Sequence, residues 1–480
     1  MVFNVRRQAM KNRVEAVLVL AAWPMLCQAQ GVTAGNLPAP IVTKNSVETC
    51  LNSRYSQHAL SKTAASAQQM GNILWAAGRA PVTGAYRNIY VATPNGTYLY
   101  DPAGHSLSRY SNEVVSDGGF AIIYDTELEF DAGVTFMPAI LASVSLGRST
   151  ESPVASCPKG IGYPKTRLLF GVQAVSGLTT QLAAHCSVAQ GQPGWLPDPS
   201  TAGDSGLEDV LANLKYVGSF VQTNLTSQQV SQILWAGYGC TAHVTSNSRA
   251  GLTVPSAYAT YYLSRSIYLV NEDGVRRYQN RDASASPSTR DHRLEPVGAA
   301  AGGTRQRSGG EGTTPSPADA RAALQAAVSG LPKAPCYVVL CLDSANVGQE
   351  YAQLEAGFVA GNMLIQASAL GLGCHFRPDL TSAEQKSIQA TTGIPAAHIP
   401  QAIISIGPIA PSASLAGDAN SDNKVDLDDY VILSKSWVSS KPQAAYDARA
   451  DFDHDGLVNV ADLRLLAANW LRTSSAEVAP

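Results

Sequence analysis

Two stretches near the C-terminus space oxygen-bearing residues in a way that could bind a hard metal ion. Calcium-binding loops of twelve residues place oxygen ligands at positions 1, 3, 5, 9 and 12 and a backbone carbonyl at position 7. Both stretches fit, and we expect one calcium ion in each. The candidate ligands are Asp418, Asn420, Asp422, Lys424, Asp426 and Asp429 in the first loop, and Asp451, Asp453, Asp455, Leu457, Asn459 and Asp462 in the second. A solvent-facing acidic turn is the alternative, but it does not explain why two loops share one spacing.

Other residues that could bind anions or move protons are scattered through the rest of the chain. Arg54 and Lys215 could bind an anion or lie as ordinary surface charges. His375 could donate a proton, or it could be a hydrogen-bonded structural histidine. No Ser-His-Asp, Cys-His or zinc-ligand pattern is evident, so nothing indicates a hydrolase.

Composition and charge exclude some classes of function. The 480 residues are enough for two or three domains, and a net charge of -3 with 15% charged residues does not indicate a nucleic-acid-binding protein. Residues 1–29 begin with basic residues, continue with an apolar run and end near Cys27 in a plausible cleavage site. They predict a secretory signal peptide and an exported protein, periplasmic or extracellular. No later stretch is long enough to span a bilayer.

The helix expected to organise the chain is Glu355 to Gly373, which is apolar on nearly every face and should lie inside the protein. Gly357 and Gly361 would let another backbone come close to it. Asp131 to Gly147 repeats its acid-Ala-Gly opening, its apolar middle and its Leu-Gly end. The chain therefore contains two related central helices.

This repeat extends on both sides of the helices and indicates two copies of one α+β unit. Leu-Trp-Ala segments, strand-turn pairs and closing strands recur in the same order. The matched segments are Ser66–Ala76 with Thr226–Ala236, Ile89–Gly96 with Ile267–Gly274, Phe120–Tyr124 with Tyr337–Leu342, and Pro164–Gly171 with Pro400–Gly407; Arg54 is matched with Lys215. We place the copies at 46–172 and 206–408, linkers at 173–205 and 409–416, and a flexible excursion at 284–317.

Residues 417–471 resemble a dockerin type I module, whose paired loops carry calcium ligands at the positions named above. The resemblance implies a small all-α module that binds two calcium ions and docks to a cohesin. Loop positions 10 and 11, where cohesin-binding members commonly carry Ser or Thr, hold Leu427-Asp428 and Val460-Ala461 in this chain. A cohesin-like partner and an intramolecular partner therefore both stay open.

The two large copies resemble the nitroreductase family of FMN-dependent oxidoreductases. The resemblance is carried by Leu234-Trp235-Ala236, Val254-Pro255-Ser256-Ala257, Ala356-Gly357 with Asn362, Gly371-Leu372-Gly373 and the closing Ile406-Gly407. It implies a cation on the flavin phosphate and backbone close to the flavin ring. The residues concerned would be Arg54 and Lys215 for the phosphate, and Pro255, Ser256, Ala257, Gly371, Gly373 and Cys374 near the ring. Family members bind flavin at a homodimer interface, so tandem copies would pair inside one chain as a monomeric pseudo-dimer.

We therefore expect an α+β protein of two nitroreductase-like α/β/α copies, followed by a small all-α calcium-loop module. The protein would be an exported FMN-dependent oxidoreductase acting on a small organic substrate, with one flavin site retained and one decayed. The alternative is a cofactor-free scaffold or binding protein that keeps the fold and is anchored through its tail. The sequence assigns no catalytic residue.

Overall fold

The structure is a computed structural model. It describes residues 34–56, 65–114, 120–151, 170–177, 194–244, 250–256, 259–282, 289–297, 319–349, 351–409, 416–420, 422, 424–453 and 455–472. None of the helices in these ranges combines the length and the hydropathy needed to cross a membrane. The predicted signal peptide, 1–29, lies outside the described residues.

An antiparallel sheet lies in the first half of the described chain. Its seven described strands are β1 (Gly35–Asn36), β2 (Arg87–Thr93), β3 (Gly96–Asp101), β4 (Ser106–Ser111), β5 (Phe120–Thr126), β6 (Arg148–Glu151) and β7 (Phe170–Gly177). They are arranged in the order β1-β4-β3-β2-β5-β7-β6. Every residue of β5 is buried, as expected for a central strand.

A second antiparallel sheet follows in the other half. The strands described there are β8 (Cys240–Val244), β9 (Ala250–Leu252), β10 (Ile267–Asn271), β11 (Gly274–Asp282), β12 (Thr289–Pro296), β13 (Cys336–Asp343), β14 (Leu372–Pro378) and β15 (His398–Pro408). The six from β10 onward form the sheet in the order β12-β11-β10-β13-β15-β14. β8 and β9 pair with each other as a separate hairpin.

The two sheets share one topology. The series β4-β3-β2-β5-β7-β6 in the first corresponds, strand by strand, to β12-β11-β10-β13-β15-β14 in the second. A two-residue turn joins the matched pairs β2–β3 and β10–β11, with Thr93 opposite Gly96 and Asn271 opposite Gly274. The strands that repeat along the chain therefore also occupy the same relative positions in the two sheets.

Two predicted segments differ from the structure. The strand predicted at Pro164–Gly171 overlaps β7, but its predicted end is wrong because β7 continues from Phe170 to Gly177; 164–169 lie outside the described residues. The flexible excursion predicted at 284–317 contains strand β12. Its polar sequence suits an edge strand because ion pairs compensate its charges, such as Arg277 Nη2 to Glu295 Oε2 at 2.9 Å across β11 and β12.

The helices of the two halves also correspond. The eight described there are α1 (Val47–Ser53), α2 (Ala67–Arg79), α3 (Glu129–Ser145), α4 (Leu207–Ala212), α5 (Ser227–Tyr238), α6 (Arg321–Ala327), α7 (Ala352–Ala369) and α8 (Ser382–Thr392). The Leu-Trp-Ala helices α2 and α5 begin with the same capping box, formed by Ser66 with Gln69 and by Thr226 with Gln229. Side chains on all faces of the central helices α3 and α7 are buried, as predicted.

The central helices α3 and α7 touch backbone to backbone at two glycines. A Cβ atom on Gly133 would lie 2.2 Å from the carbonyl oxygen of Leu354 and 2.7 Å from Cα of Gly357. A Cβ atom on Gly357 would lie 2.1 Å from the carbonyl oxygen of Phe130 and 2.8 Å from Cα of Gly133. The contact is the same from either side, so the two halves meet around an approximate two-fold axis.

Hydrogen bonds beside the first helices repeat this two-fold relation. The Val47 N–H donates to the Ser205 carbonyl at 3.3 Å, and the Leu207 N–H donates to the Asn45 carbonyl at 3.0 Å. Val47 and Leu207 are the first residues of α1 and α4. The chain entering one half is thus held by the chain entering the other.

Each first helix also contacts the central helix of the opposite half. Glu48 of α1 accepts a 2.7 Å hydrogen bond from Gln366 Nε2 of α7. Glu208 of α4 accepts a 3.4 Å hydrogen bond from Ser145 Oγ at the end of α3. These contacts place the residues that follow α1 and α4 at the boundary between the halves.

The described parts of the predicted linker 173–205 are packed structure. Residues 173–177 belong to β7. Further on, the Leu196 N–H donates to the His292 carbonyl and the Leu294 N–H to the Gly194 carbonyl, each at 2.9 Å. This segment runs along β12 because its backbone groups find partners there, which composition alone does not reveal.

The C-terminal module contains two further helices and a small sheet. These are α9 (Leu427–Lys435), α10 (Val460–Ala468), β16 (Ser439–Ser440), β17 (Leu457–Val458) and a 3-10 turn at Ala448–Ala450. The expectation of an all-α module is therefore wrong in one detail, because β17 lies within the second loop and pairs with β16. The ends of the module are tied together by the Leu471 N–H to the Val425 carbonyl at 2.7 Å.

We predict that Gly133→Ala lowers the free energy of unfolding by about 2 kcal/mol or more, because the added methyl group meets rigid backbone. Intrinsic helix propensity alone would make Gly133→Ala more stable by roughly 1 kcal/mol. A lower free energy of unfolding can therefore come only from the contact between the two helices. Urea unfolding measures the change. Gly218→Ala is the control, since a Cβ atom there meets nothing within 4 Å. Equal or higher stability of Gly133→Ala would contradict the close approach.

Candidate functional site

Arg54 is a buried cation at the boundary between the halves. It follows α1 and is 1% exposed. Its Nη2 donates to the carbonyls of Leu252 at 2.6 Å and Val254 at 3.1 Å, whereas its Nε–H has no hydrogen-bond partner. Burial lowers the pKa of Arg54 to about 10, a shift that nearby Tyr261 partly offsets. No carboxylate of the described residues forms an ion pair with it, so its charge and its Nε–H suit an anionic oxygen.

The loop beginning at Pro255 follows the two carbonyls that Arg54 binds. Ser256 Oγ donates to Glu355 Oε2, and the Tyr261 N–H donates to Ser256 Oγ at 2.7 Å. Glu355 Oε1 accepts a further 2.5 Å hydrogen bond from the Tyr238 hydroxyl. The Ser256 side chain is therefore used to hold the loop against the first turn of α7. Ala257, the third residue predicted here, lies outside the described residues.

The first half holds its corresponding loop in the same way. Asp131, in the first turn of α3, accepts hydrogen bonds from Thr83 Oγ1 at 2.6 Å and from the Gly84 N–H at 2.7 Å. Asp131 and Glu355 open the matched central helices. The acid of the acid-Ala-Gly motif thus positions a loop of its own half.

The backbone near Gly371 is already paired with protein groups. Gly371, with φ +73°, ends α7, but a Cβ atom on Gly373 would lie 2.5 Å from Val217 Cγ2. The Cys374 N–H donates to the Lys215 carbonyl, and the Val217 N–H donates to the Cys374 carbonyl, each at 2.9 Å. Residues 215–217 thus pair with the edge of β14, and the Cys374 N–H is used within the protein; that Gly373 and Cys374 lie near a flavin ring stays a prediction. Burial also raises the pKa of the Cys374 thiol.

The residues predicted for one site belong to two places. Ser256 is bound to Glu355 in the first turn of α7, and Gly371 follows the last turn. The intervening helix separates Glu355 from Leu370 by about 22 Å along its axis. Arg54 lies with the Pro255 loop, whereas Lys215 lies with Cys374. The single site assembled from the sequence is therefore corrected to two locations, related by the approximate two-fold axis.

We name these locations by one residue each. The Arg54 site comprises Arg54, Ser56, Thr150 and 252–256. The Tyr216 site comprises Leu214, Tyr216, 374–376, Thr83 and Gly84. Asp131, which binds Thr83 and Gly84, also acts on Tyr216. Burial raises the pKa of Tyr216, a hydrogen bond with the Phe376 backbone lowers it, and the Asp131 charge raises it further.

The bridges in the two sites correct the match between Arg54 and Lys215. Ser56 pairs in parallel with Thr150 of β6, and Tyr216 pairs in parallel with Cys374 of the matched strand β14. Ser56 therefore corresponds to Tyr216, and Arg54 corresponds to Leu214. The predicted match was therefore off by one residue. Because side chains alternate along an extended segment, Lys215 points to the opposite side from Leu214, the residue that corresponds to Arg54.

The sequence interpretation missed Arg87, the first residue of β2. Its guanidinium donates to the carbonyls of Ala80 at 2.7 Å and Gly78 at 3.2 Å. These carbonyls precede Pro81 as those of Leu252 and Val254 precede Pro255. Burial lowers the pKa of Arg87, and the Asp131 charge partly offsets the shift. The two matched prolines mark these carbonyls in the sequence, and an arginine that binds them could have been sought. Only the fold shows which arginine it is.

The second C-terminal loop gathers three carboxylates as a cation site requires. Oxygen atoms of Asp451, Asp453 and Asp462 all lie within 4.8 Å of one another. Gly456, with φ +87°, makes the turn, and its N–H donates to Asp451 Oδ2 at 2.9 Å. The Asp455 N–H lowers the pKa of Asp453, but desolvation and the charges of Asp455, Asp462 and Asp451 raise it more. This set of hard oxygen donors fits calcium.

The first C-terminal loop is arranged around its own acids. The Asp422 N–H donates to Asp418 Oδ1 at 3.1 Å, and buried Asp429 accepts from the Asp426 N–H at 2.9 Å. Asp426 also caps α9, as Asn459 caps α10 in the second loop. The predicted ligands at loop position 9 therefore each use a side-chain oxygen on a helix N-terminus. The other predicted ligands Asn420 and Lys424 lie in the same loop, and Leu457 lies in the second loop.

Comparisons with known proteins identify two regions. Residues 219–408 match the family model described as the Nitroreductase family, and residues 416–469 match the model described as the Dockerin type I domain. The search of curated proteins gave no match. The second of the two halves and the C-terminal module are thus each covered by a family model, and the first half is not.

Several solved structures are similar to the chain. A protein titled as a nitroreductase from Ralstonia eutropha is 21% identical and has a TM-score of 0.34, covering 48% of this chain and 96% of its own. One from Anabaena variabilis is 13% identical with a TM-score of 0.49, covering 79% of this chain and 94% of its own. An FMN-dependent nitroreductase from Clostridium difficile is 14% identical with a TM-score of 0.27, covering 42% and 87%.

We predict that Ser256→Ala lowers the free energy of unfolding by about 1–3 kcal/mol, because buried Glu355 and the Tyr261 N–H each lose a hydrogen-bond partner. Thermal and urea unfolding measure this change. Ser382→Ala is the matched control, since Ser382 is exposed at the start of α8 and the change should stay within about 0.5 kcal/mol. Equal effects of the two substitutions would show that Ser256 does not hold the loop.

Proposed function

Because the chain carries a nitroreductase domain over 219–408 followed by a dockerin type I domain over 416–469, we propose that it is an FMN-dependent oxidoreductase with a calcium-binding tail. Its substrate would be a small organic compound, in keeping with the resemblance. The observation that carries the proposal is buried Arg54, whose charge meets backbone carbonyls and no carboxylate of the described residues. A phosphate is a natural counter-charge for such a guanidinium.

We also propose that the two halves are copies of one unit, paired inside a single chain as a pseudo-dimer. Three observations support this: the common strand order, the two-fold contact between Gly133 and Gly357, and the paired hydrogen bonds of Val47 and Leu207. The partner of each half is then present at a high effective concentration, so the chain would remain a monomer. The first copy has diverged further, consistent with a family model that covers the second alone.

The chain's own residues would bind and orient the cofactor at the Arg54 site. Arg54 would bind the phosphate through its unpaired Nε–H, while the carbonyls of Leu252 and Val254 fix the plane of its guanidinium. Glu355 and Ser256 would hold the loop at Pro255 in place beside it. The flavin, when bound, supplies the redox chemistry, and the protein supplies binding and orientation.

The tail would attach the exported protein to a partner. The predicted signal at 1–29 and the dockerin match support export to the periplasm or the outside of the cell. Leu427 and Val460, at the same position of the two loops, are 62% and 53% exposed. These apolar side chains suit a cohesin-like surface or a surface of this chain more than a polar contact.

We predict that the full chain binds two calcium ions, one per loop, because both loops carry acids at the ligand positions, and the carboxylates gathered in the second loop repel one another without a cation. Titration calorimetry should give a stoichiometry of two. Asp418→Asn and Asp453→Asn should each reduce it to one. Asp428→Asn, an exposed acid outside the ligand positions, should leave it at two. A wild-type value below two, or no effect of Asp453→Asn, would refute the assignment.

We predict that Arg54→Ala weakens FMN binding by about 1.5–3 kcal/mol, the usual value of a charge-assisted hydrogen bond. Arg54→Lys should lose less, since it keeps the charge without the planar fork. Lys215→Ala should have a small effect, because Lys215 lies beside Cys374 and away from the Pro255 loop. Flavin fluorescence quenching measures the affinities.

The control for charge is Arg464→Ala, which removes an exposed arginine from the tail. Circular dichroism of each variant separates loss of binding from loss of folding. If wild-type protein with excess FMN stays colourless and its melting temperature does not change, the enzyme proposal fails. The fold would then serve as a cofactor-free scaffold anchored through the tail.

A further inference from the structure

The Arg54 and Tyr216 sites are matched places with different contents, a difference that bears on how many flavins one chain can hold. They occupy the same position in the two halves, as the parallel bridges of Ser56 with Thr150 and of Tyr216 with Cys374 establish. Where one site has the small side chain of Ser56, the other has the ring of Tyr216.

The space in the Tyr216 site is filled by aromatic rings of the chain itself. The Tyr216 ring stacks on His375 with ring centroids 5.3 Å apart and an interplanar angle of 12°. It also packs against Phe376 at 5.2 Å. His375 Nδ1 is buried without a hydrogen-bond partner among the described residues, and burial lowers the pKa of this imidazole. The imidazole is therefore held by ring packing, which closes the place where a planar ligand would stack.

The two sites also differ in charge. At the position of Arg54 the Tyr216 site has Leu214, which cannot bind a phosphate. The carbonyls of Gly78 and Ala80 are bound instead by Arg87 of the same half. The Arg87 guanidinium also donates to Thr135 Oγ1 at 3.2 Å and lies in the field of Asp131. Arg87 therefore has a carboxylate nearby, whereas no carboxylate of the described residues pairs with Arg54.

We infer that Tyr216, stacked on His375, plugs the second of two matched flavin sites, so that the chain binds a single flavin at the Arg54 site. This inference rests on the proposed function and adds to it the cause of the asymmetry. The ring of Tyr216 fills the place of the ligand. Leu214 stands where the other site has Arg54, so this site lacks a cation for the phosphate. Two side chains, at positions 214 and 216, thus account for the difference between the two sites.

The test transplants the Arg54 site into the other half. The double variant Leu214→Arg/Tyr216→Ser places arginine and serine at the positions that Arg54 and Ser56 occupy. FMN per chain is counted from flavin absorbance after gel filtration and denaturation, against protein concentration from amino-acid analysis. We expect one FMN in the wild type, one in Tyr216→Phe, which keeps the ring, and two in the double variant.

The outcomes separate this inference from the proposed function. A wild type with no flavin overturns the proposed function, and the inference fails with it. A wild type with two flavins overturns the inference alone. So does a double variant that keeps the wild-type circular dichroism but binds one FMN at saturation. If the double variant does not fold, the wild-type count decides: a value of one supports the plug, and a value of two overturns it.

Discussion

The contact between the two central helices is the constraint on which the rest of the structure depends. Gly133 and Gly357 let α3 and α7 approach until backbone meets backbone, so the helices can pack only with both glycines at the crossing. With the crossing fixed, α1 and α4 each lie against the central helix of the opposite half. The residues after these helices are then carried to the boundary, where Arg54 reaches Leu252 and Val254. A packing requirement inside the core thus decides which residues can form a site.

Each loop is held by a buried carboxylate on one side and by a guanidinium on the other. On one side a carboxylate, Asp131 or Glu355, accepts hydrogen bonds from loop groups, and such satisfied carboxylates make the loops rigid. On the other side a guanidinium, Arg87 or Arg54, binds the carbonyls that precede the loop proline. The loop is held from both sides in both halves. Only Arg54 reaches across from the other half, and this leaves its charge without a carboxylate of the described residues.

Patterns of local origin could be read from the sequence, and long-range pairings could not. The central helices follow from their apolar sequence, and the structure gives them within a few residues of the predicted bounds. The two acidic loops were recognised from a fixed spacing, and the family comparisons confirm the dockerin and nitroreductase resemblances. The grouping of Ser256 with Gly371 failed because it depended on which half supplies each part. The match of Arg54 with Lys215 failed because extended segments carry no local signal for a one-residue shift.

The structure also explains how one site could change without loss of the fold. Each loop needs an arginine on its two carbonyls, since unpaired buried carbonyls are costly. In the first half that arginine is Arg87, which comes from the adjacent strand β2 and does not cross the boundary. The loop at Pro81 therefore does not need an arginine at position 214. A leucine there could join the core, and Tyr216 could turn its ring onto His375 without leaving a loop unsupported. The asymmetry between the sites then follows from one difference: Arg87 binds the loop carbonyls of its own half, whereas Arg54 binds those of the opposite half.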